Sequence, residues 1–214
     1  SVVQYNEDGY LPEAVLNYLA RLGWSHGDEE VFSMAQFCEW FDLDHITSSA
    51  AQFNTEKLNW LNAHYIRQAD LNFLVNEISK RLVTHGVATS VQPNLLGVIE
   101  LYRERVNTLN ELADGVAYFY QKPRPDVAVV EKHVTPDILP VIKTLAGHLA
   151  AIEWTTEAIH SAIEFAVTSN DLKLPKVAMP LRVMVTGGTQ SPSIDAVMVL
   201  LGQSETLSRI NAYI

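Results

Sequence analysis

An all-α fold is predicted by three observations. Apolar residues recur at three- and four-residue spacing along most of the chain, Pro and Gly punctuate those stretches at helix starts and stops, and no two strand-like runs are available to pair. The first such stretch, GYLPEAVLNYLARLG, has Pro12 at a first helical position, Val15, Leu16, Leu19 and Leu22 as its stripe, and Gly23 just past its end. That stripe needs a neighbour to cover it. Only SVVQYNED precedes Gly9, and it carries no signal-peptide or transit-peptide pattern, so the chain reads as the latter part of something larger.

Ser33 followed by Gln36 is a capping-box pattern for a short helix ending near Phe41, with Cys38 inside it as a small core residue. FNTEKLNWLNAHYI is capped at Asn54 or Thr55, and Leu58, Leu61, Tyr65 and Ile66 share a face. Asp70 caps LNFLVNEISKRLVTHG, in which Leu71, Leu74, Val75, Ile78 and Leu82 form the stripe and Gly86 the stop. QPNLLGVIELYRERV, from Gln92, and TLNELADGVAYFY form a helix pair hinged near Thr108. QKPRPDV, residues 121 to 127, is the clearest linker, since two prolines two residues apart continue neither a helix nor a central strand. Beyond it TPDILPVIKTLAGHLAAI, with Pro140 disturbing its first turns, TTEAIHSAIEFAVTSN, SPSIDAVMVLLG and TLSRINAYI read as helices. PLRVMVTG alone resembles a short strand, with nothing to pair with.

At 214 residues and 48% hydrophobic the chain can bury a sizeable core. Its apolar runs fall far short of the ~20 residues that span a bilayer, so no membrane partner is expected. The single cysteine excludes an internal disulfide and any cysteine-cluster metal site, which suits a reducing compartment; the reading is cytoplasmic. A net charge of −10 argues against a phosphate-rich partner, but the acid is unevenly placed. Residues 1–66 hold two basic and ten acidic side chains, whereas the rest hold 13 and 15, which leaves room there for a basic face.

Signs of catalysis are sparse. The seven histidines offer no close pair with a third ligand, so no metal site is expected. VTGGTQSPSID places a Gly pair before a helix start but lacks the GK[ST] ending of a P-loop, and no Gly follows two residues after Ser191 to make a nucleophile elbow. Locally it reads as a cap, with Gly187 and Gly188 turning, Ser191 as N-cap and Pro192 as first helical residue. A helix start with a hydroxyl and a nearby Arg also suits an RNA base or phosphate.

Three blocks carry a resemblance: QYNEDGYLPEAVLNYLARLGWSHGDEEVFS, FNTEKLNWLNAHYI and MPLRVMVTGGTQSPSIDAVMVLLG. In this order they resemble bacterial glutamyl-tRNA synthetases, from just after the second ATP-signature loop to near the C-terminus. Neither ATP signature is present in this sequence. The resemblance implies a stem-contact region over residues 1–69, a first helical anticodon-binding part over 70–122 and a second over 123–214. It implies no catalytic residue and no cofactor here, ATP and magnesium belonging to the catalytic half of the parent enzyme. Implied partners are tRNA for glutamate and the N-terminal catalytic domain of the same enzyme. On the family pattern Arg105 in YRERVNTL matches a position that meets the third anticodon base, with Arg103 as the neighbouring alternative. Arg182 in MPLRV and Ser191 in TQSPS match positions that meet anticodon nucleotides, and Tyr10 and Arg21 are candidates for the tRNA body. Read without the family, Arg105 is a surface partner of Glu100 or Glu104, and the whole chain an alternative helical module for protein interaction.

Overall fold

The computed structural model describes residues 2–47, 52–89 and 93–214. The start of a helix at Gln92 lies outside those residues. The described residues hold thirteen α-helices, two 3-10 turns and no strand, apart from one isolated antiparallel bridge between Trp24 and Ile46. They group into two compact units, one comprising residues up to Thr84 with Ile99–Asp114, the other His85–Val98 with Gly115–Ile214.

The first unit begins with α1 (Val2–Glu7) and α2 (Pro12–Gly23). Helix α2 buries Ala14, Val15, Asn17 and Tyr18 and packs on α4 (Thr55–Gln68). The expected stripe is therefore displaced: Leu16 and Leu19 are 48% and 45% exposed. At 100° per residue they lie on the side away from the Ala14–Tyr18 face, and the small Ala14 and hydrogen-bonded Asn17 sit where α4 approaches. Helix α3 (Met34–Trp40) has the full capping box, Ser33 Oγ accepting from Gln36 N–H at 3.1 Å and Gln36 Oε1 from Ser33 N–H at 2.9 Å. Cys38 is exposed rather than buried. The helix faces inward through Phe37, whose ring meets Trp24 edge-on at 5.1 Å, so the next residue turns outward. Helix α4 buries Leu58, Leu61 and Ile66 as expected, and α5 (Leu71–Thr84) buries Leu74, Ile78 and Leu82 behind Asp70, whose carboxylate accepts from Phe73 N–H.

Helices α6 (Leu95–Tyr102) and α7 (Leu109–Val116) are separated by the 3-10 turn Arg103–Arg105, and Thr108 Oγ1 accepts from Glu111 N–H at the hinge. In the second unit α8 (Val127–His133) stands at the end of the proline stretch, unanticipated because the two prolines masked the Asp126 N-cap, which accepts from Ala128 N–H at 2.8 Å. It is followed by α9 (Leu139–Leu149), α10 (Thr156–Ser169), α11 (Leu174–Thr186), α12 (Ile194–Leu201) and α13 (Gln203–Asn211). Pro140 falls in the first turn of α9, where its missing N–H costs no helical bond.

PLRVMVTG is helix, not strand: it is the second half of α11. Val177, Leu181, Met184 and Val185 form one buried face whose period is visible only when the upstream residues are included. Pro180 is accommodated inside that helix, buried against its neighbours. Helices α9, α10, α11 and α13 pack around one core that holds Ile142, Leu145, Ile159, Val177, Leu181 and Ile210.

Candidate nucleic-acid interface

In the first unit Arg103 and Arg105 share one 3-10 turn, held at its ends by buried Tyr102 and Val106. Their situations differ. Arg103 is half-buried and its Nη1 donates to the Ala69 carbonyl at 3.2 Å, closing the C-terminal end of α4. Glu104 lies 4.0 Å from Arg67 Nε. Arg105 is exposed and makes no hydrogen bond or ion pair among the described residues, so neither Glu100 nor Glu104 engages it.

What fixes this turn is a residue that the sequence reading passed over. Asn62, with no exposed surface, accepts from Leu11 N–H at 2.8 Å and donates from Nδ2 to the Asn107 carbonyl at 2.6 Å and the Gly9 carbonyl at 3.3 Å. Gly9 O also accepts from Leu109 N–H at 2.9 Å. Gly9 itself has φ +90°, and a Cβ there would stand 2.7 Å from Asn110 N, so both backbone shape and close approach demand glycine. One amide thus ties the chain before α2, the middle of α4 and the segment just after Arg105. The available signal was a polar residue between Leu61 and Ile66 on an otherwise apolar face.

In the second unit the structure brings Arg182 and Ser191 together. Arg182 Nε donates to Ser191 Oγ at 2.9 Å, and that hydroxyl donates to the Pro192 carbonyl at 2.7 Å. The Ser is therefore not the N-cap: Ser193 precedes α12, and Pro192 is buried outside the helix. The first turn is served instead by Asp195, which accepts from Ala196 N–H at 2.8 Å. Burial acts to raise the pKa of its carboxyl, but hydrogen bonds from Ser193, Ala196 N–H and His160 outweigh it and hold the group below the usual Asp range. With Nε committed, the two Nη groups of Arg182 make no hydrogen bond among the described residues.

The end of α11 that carries Arg182 is pinned by a second residue the sequence reading missed. Arg209, 5% exposed, donates from Nη1 to Val185 O at 2.7 Å, from Nη2 to Tyr118 O at 2.8 Å and from Nε to Glu205 Oε1 at 2.8 Å. A buried guanidinium with this many partners is structural. In sequence the only local signal is the i,i+4 spacing of Glu205 and Arg209, which carries no information on burial. Gly187 takes the left-handed C′ position at φ +80°, as the Gly pair suggested. Among the described residues no group of three or more His, Cys, Asp or Glu side chains could hold a metal ion. No described helix is long and apolar enough to cross a membrane.

Comparison with known proteins bears on this constellation. The anticodon-binding domain family matches residues 44–214, and the catalytic domain of class I tRNA synthetases (E and Q) matches residues 1–60. A glutamate–tRNA ligase from Methylobacillus flagellatus is 64% identical over 212 residues, covering 99% of this chain and 45% of the relative. One from Dechloromonas aromatica is 50% identical over 214 residues, covering all of this chain and 46% of the relative. The crystal structure of a glutamate tRNA ligase from Elizabethkingia meningosepticum, in complex with its amino acid, superposes with a TM-score of 0.87 at 30% identity, over 98% of this chain and 42% of that one. The chain thus spans less than half the length of these relatives, and it belongs to the anticodon-binding domain family as that family occurs in glutamate–tRNA ligases.

Proposed function

We propose that this chain recognises the anticodon end of tRNA for glutamate on behalf of a glutamate–tRNA ligase. The observation that carries the reading is the match of the anticodon-binding family to residues 44–214, a span in which Arg105 and Arg182 are among the arginines with unengaged donors. Anticodon bases are unstacked and expose their pairing edges, and a planar, permanently charged fork can both stack on a base and donate to its acceptors. Arg105 is assigned to the third anticodon base, because the half-buried Arg103 already spends a donor on Ala69 O. Arg182 is assigned to another anticodon nucleotide, with Ser191 orienting its guanidinium through Nε and leaving the Nη pair for RNA.

The second partner is the catalytic domain of the same enzyme. Support comes from the catalytic-domain family match over residues 1–60 and from the exposed apolar pair Leu16 and Leu19 within it. ATP and magnesium belong to that domain, and no step of glutamate activation is assigned to a residue of this chain. The protein is expected to make no glutamyl-adenylate; glutamate-dependent ATP–pyrophosphate exchange by the purified chain would overturn that.

The deciding experiment is a titration of tRNA for glutamate against the purified chain at fixed salt, beside an unrelated RNA of equal length and charge. Tighter binding of the tRNA is expected. Indistinguishable curves would sink the proposal, since only the sequence-independent electrostatic part would then be present.

A further inference from the structure

Gly187, the left-handed residue that ends α11, lies against Pro123: a Cβ on it would fall 2.5 Å from the Pro123 Cβ. The segment 121–127, read in sequence as a linker, is thus packed at Pro123 onto the start of the loop that leads to Ser191. Two features make it more than a connection. Lys122 and Arg124 both precede prolines, Pro123 and Pro125, and a residue before proline is confined to extended backbone while the proline fixes its own φ. Both cations are therefore carried on a stiff strap, with a residue-to-residue step of about 3.1–3.3 Å. Their Cα atoms are ~6–7 Å apart on that spacing.

Both side chains are exposed, and neither makes a hydrogen bond or ion pair among the described residues. Two nearby carboxylates have partners other than these cations. Asp126 caps α8, and Glu205, which borders the same groove as Lys122, is held by Arg209 Nε. Two unpaired cations on a rigid backbone, joined through Pro123 to Gly187 at the end of the helix that carries Arg182, form a local pair of positive charges in an acidic protein. A chain with a net charge of −10 gains RNA affinity from such a pair only where it is placed locally.

We infer that Lys122 and Arg124 are a phosphate-gripping pair that holds the backbone of the RNA strand whose base Arg182 contacts. This rests on the reading of the second unit as an RNA-binding surface. The strap contributes affinity and register without sequence information, in contrast to the arginines that read bases.

The test is the salt dependence of tRNA binding by the whole chain, wild type against the double variant Lys122→Gln/Arg124→Gln. Each phosphate contact to a single strand contributes about 0.7 to the slope of log K against log salt, so the double variant is expected to lose about 1.4. Its affinity should fall several-fold at low salt, equally for tRNAs that differ at any one anticodon base, and converge on wild type at high salt. Lys132→Gln/Lys143→Gln, two other exposed lysines, removes the same charge elsewhere and is expected to leave the slope nearly unchanged. An unaltered slope in the strap variant, or an equal loss in the control, overturns the inference. Failure of wild type to prefer tRNA over the equal-charge RNA refutes instead the function on which it rests. Both variants change exposed side chains only, and matching thermal unfolding midpoints exclude a folding defect.

Discussion

Arg103 and Arg105 share one turn in different surroundings, Arg103 donating to Ala69 O and Arg105 exposed with its donors unengaged, and the proposed reading of the third anticodon base falls to Arg105. An arginine only donates; cytosine presents a carbonyl oxygen and a ring nitrogen as acceptors on its pairing edge, whereas guanine presents two donors beside one carbonyl. Arg105→Gln is therefore expected to narrow the preference for a tRNA with cytosine over guanine at the third anticodon position, by about 1–3 kcal/mol if the contact is bidentate. Arg103→Gln is expected to leave that preference unchanged and to cost about 1–2 kcal/mol of folding stability, through the lost charge-assisted bond to Ala69 O. Binding of the two tRNAs at one salt concentration, with urea melts of both variants, separates the roles; a larger loss of discrimination at Arg103 would reverse the assignment. For Arg182 and Ser191 a double-mutant cycle with Arg182→Gln and Ser191→Ala should show coupling of about 0.5–3 kcal/mol in tRNA binding. Additive losses would mean that the hydroxyl acts on its own. The family resemblance pointed to these four residues but not to their geometry: Ser191 accepts from Arg182 Nε instead of capping α12, whose first turn is served by Asp195.

Among the elements, those with a complete local signal were legible: the capping box of α3, the Asp70 cap of α5 and the left-handed Gly86 and Gly187 are all set by neighbours in sequence. Three kinds of information were not. The buried face of α2 is chosen by α4, the helical state of RVMV by residues upstream of Pro180, and the depth of Asn62 and Arg209 by elements that arrive from elsewhere in the chain. Asn62 gives the sharpest test at this scale. Asn62→Leu keeps the volume but strands Leu11 N–H and leaves Asn107 O without its short donor, so it should destabilise the first unit by about 2–5 kcal/mol. Asn62→Asp keeps the acceptor for Leu11 N–H but turns a carboxylate oxygen toward two carbonyls, and should be no milder at neutral pH. Trp24, Trp40 and Trp60 report on that unit by fluorescence; an Asn62→Leu melt within 0.5 kcal/mol of wild type, a threshold of about the size typical of surface substitutions, would show the hub to be dispensable.

At the scale of the whole molecule the helical class was legible because helix periodicity is repeated along nearly the entire chain, so errors in single elements do not change the sum. Burial raises the pKa of four phenols, Tyr10, Tyr65, Tyr120 and Tyr213, and the shift at the half-buried Tyr120 is large. Tyr120 donates to the Pro93 carbonyl at 2.8 Å, and burial pushes its pKa up to about 12 from 10.0. Because the folded chain holds this proton more tightly than the unfolded one, its contribution is complete below pH 10 and is lost as pH rises through 12, on the order of 2 kcal/mol. Tyr120→Phe should be about 1 kcal/mol less stable near neutrality, through the lost hydrogen bond, yet show a flatter decline between pH 10 and 12; parallel profiles would place the alkaline sensitivity elsewhere. The bond from Leu109 N–H to Gly9 O has a consequence in time. Those two residues stand a hundred positions apart, and a ribosome adding roughly 5–20 residues per second needs roughly 5–20 s to deliver the second after the first. Until then the Gly9 carbonyl lacks its short bond from Leu109 N–H and has only the longer one from the Asn62 amide, and the first unit is not complete until residues 99–114 have followed 85–98 out of the exit tunnel. Slowing translation within 85–114 should lengthen the protease-sensitive phase of the nascent chain, whereas slowing it after 114 should leave the first unit already protected.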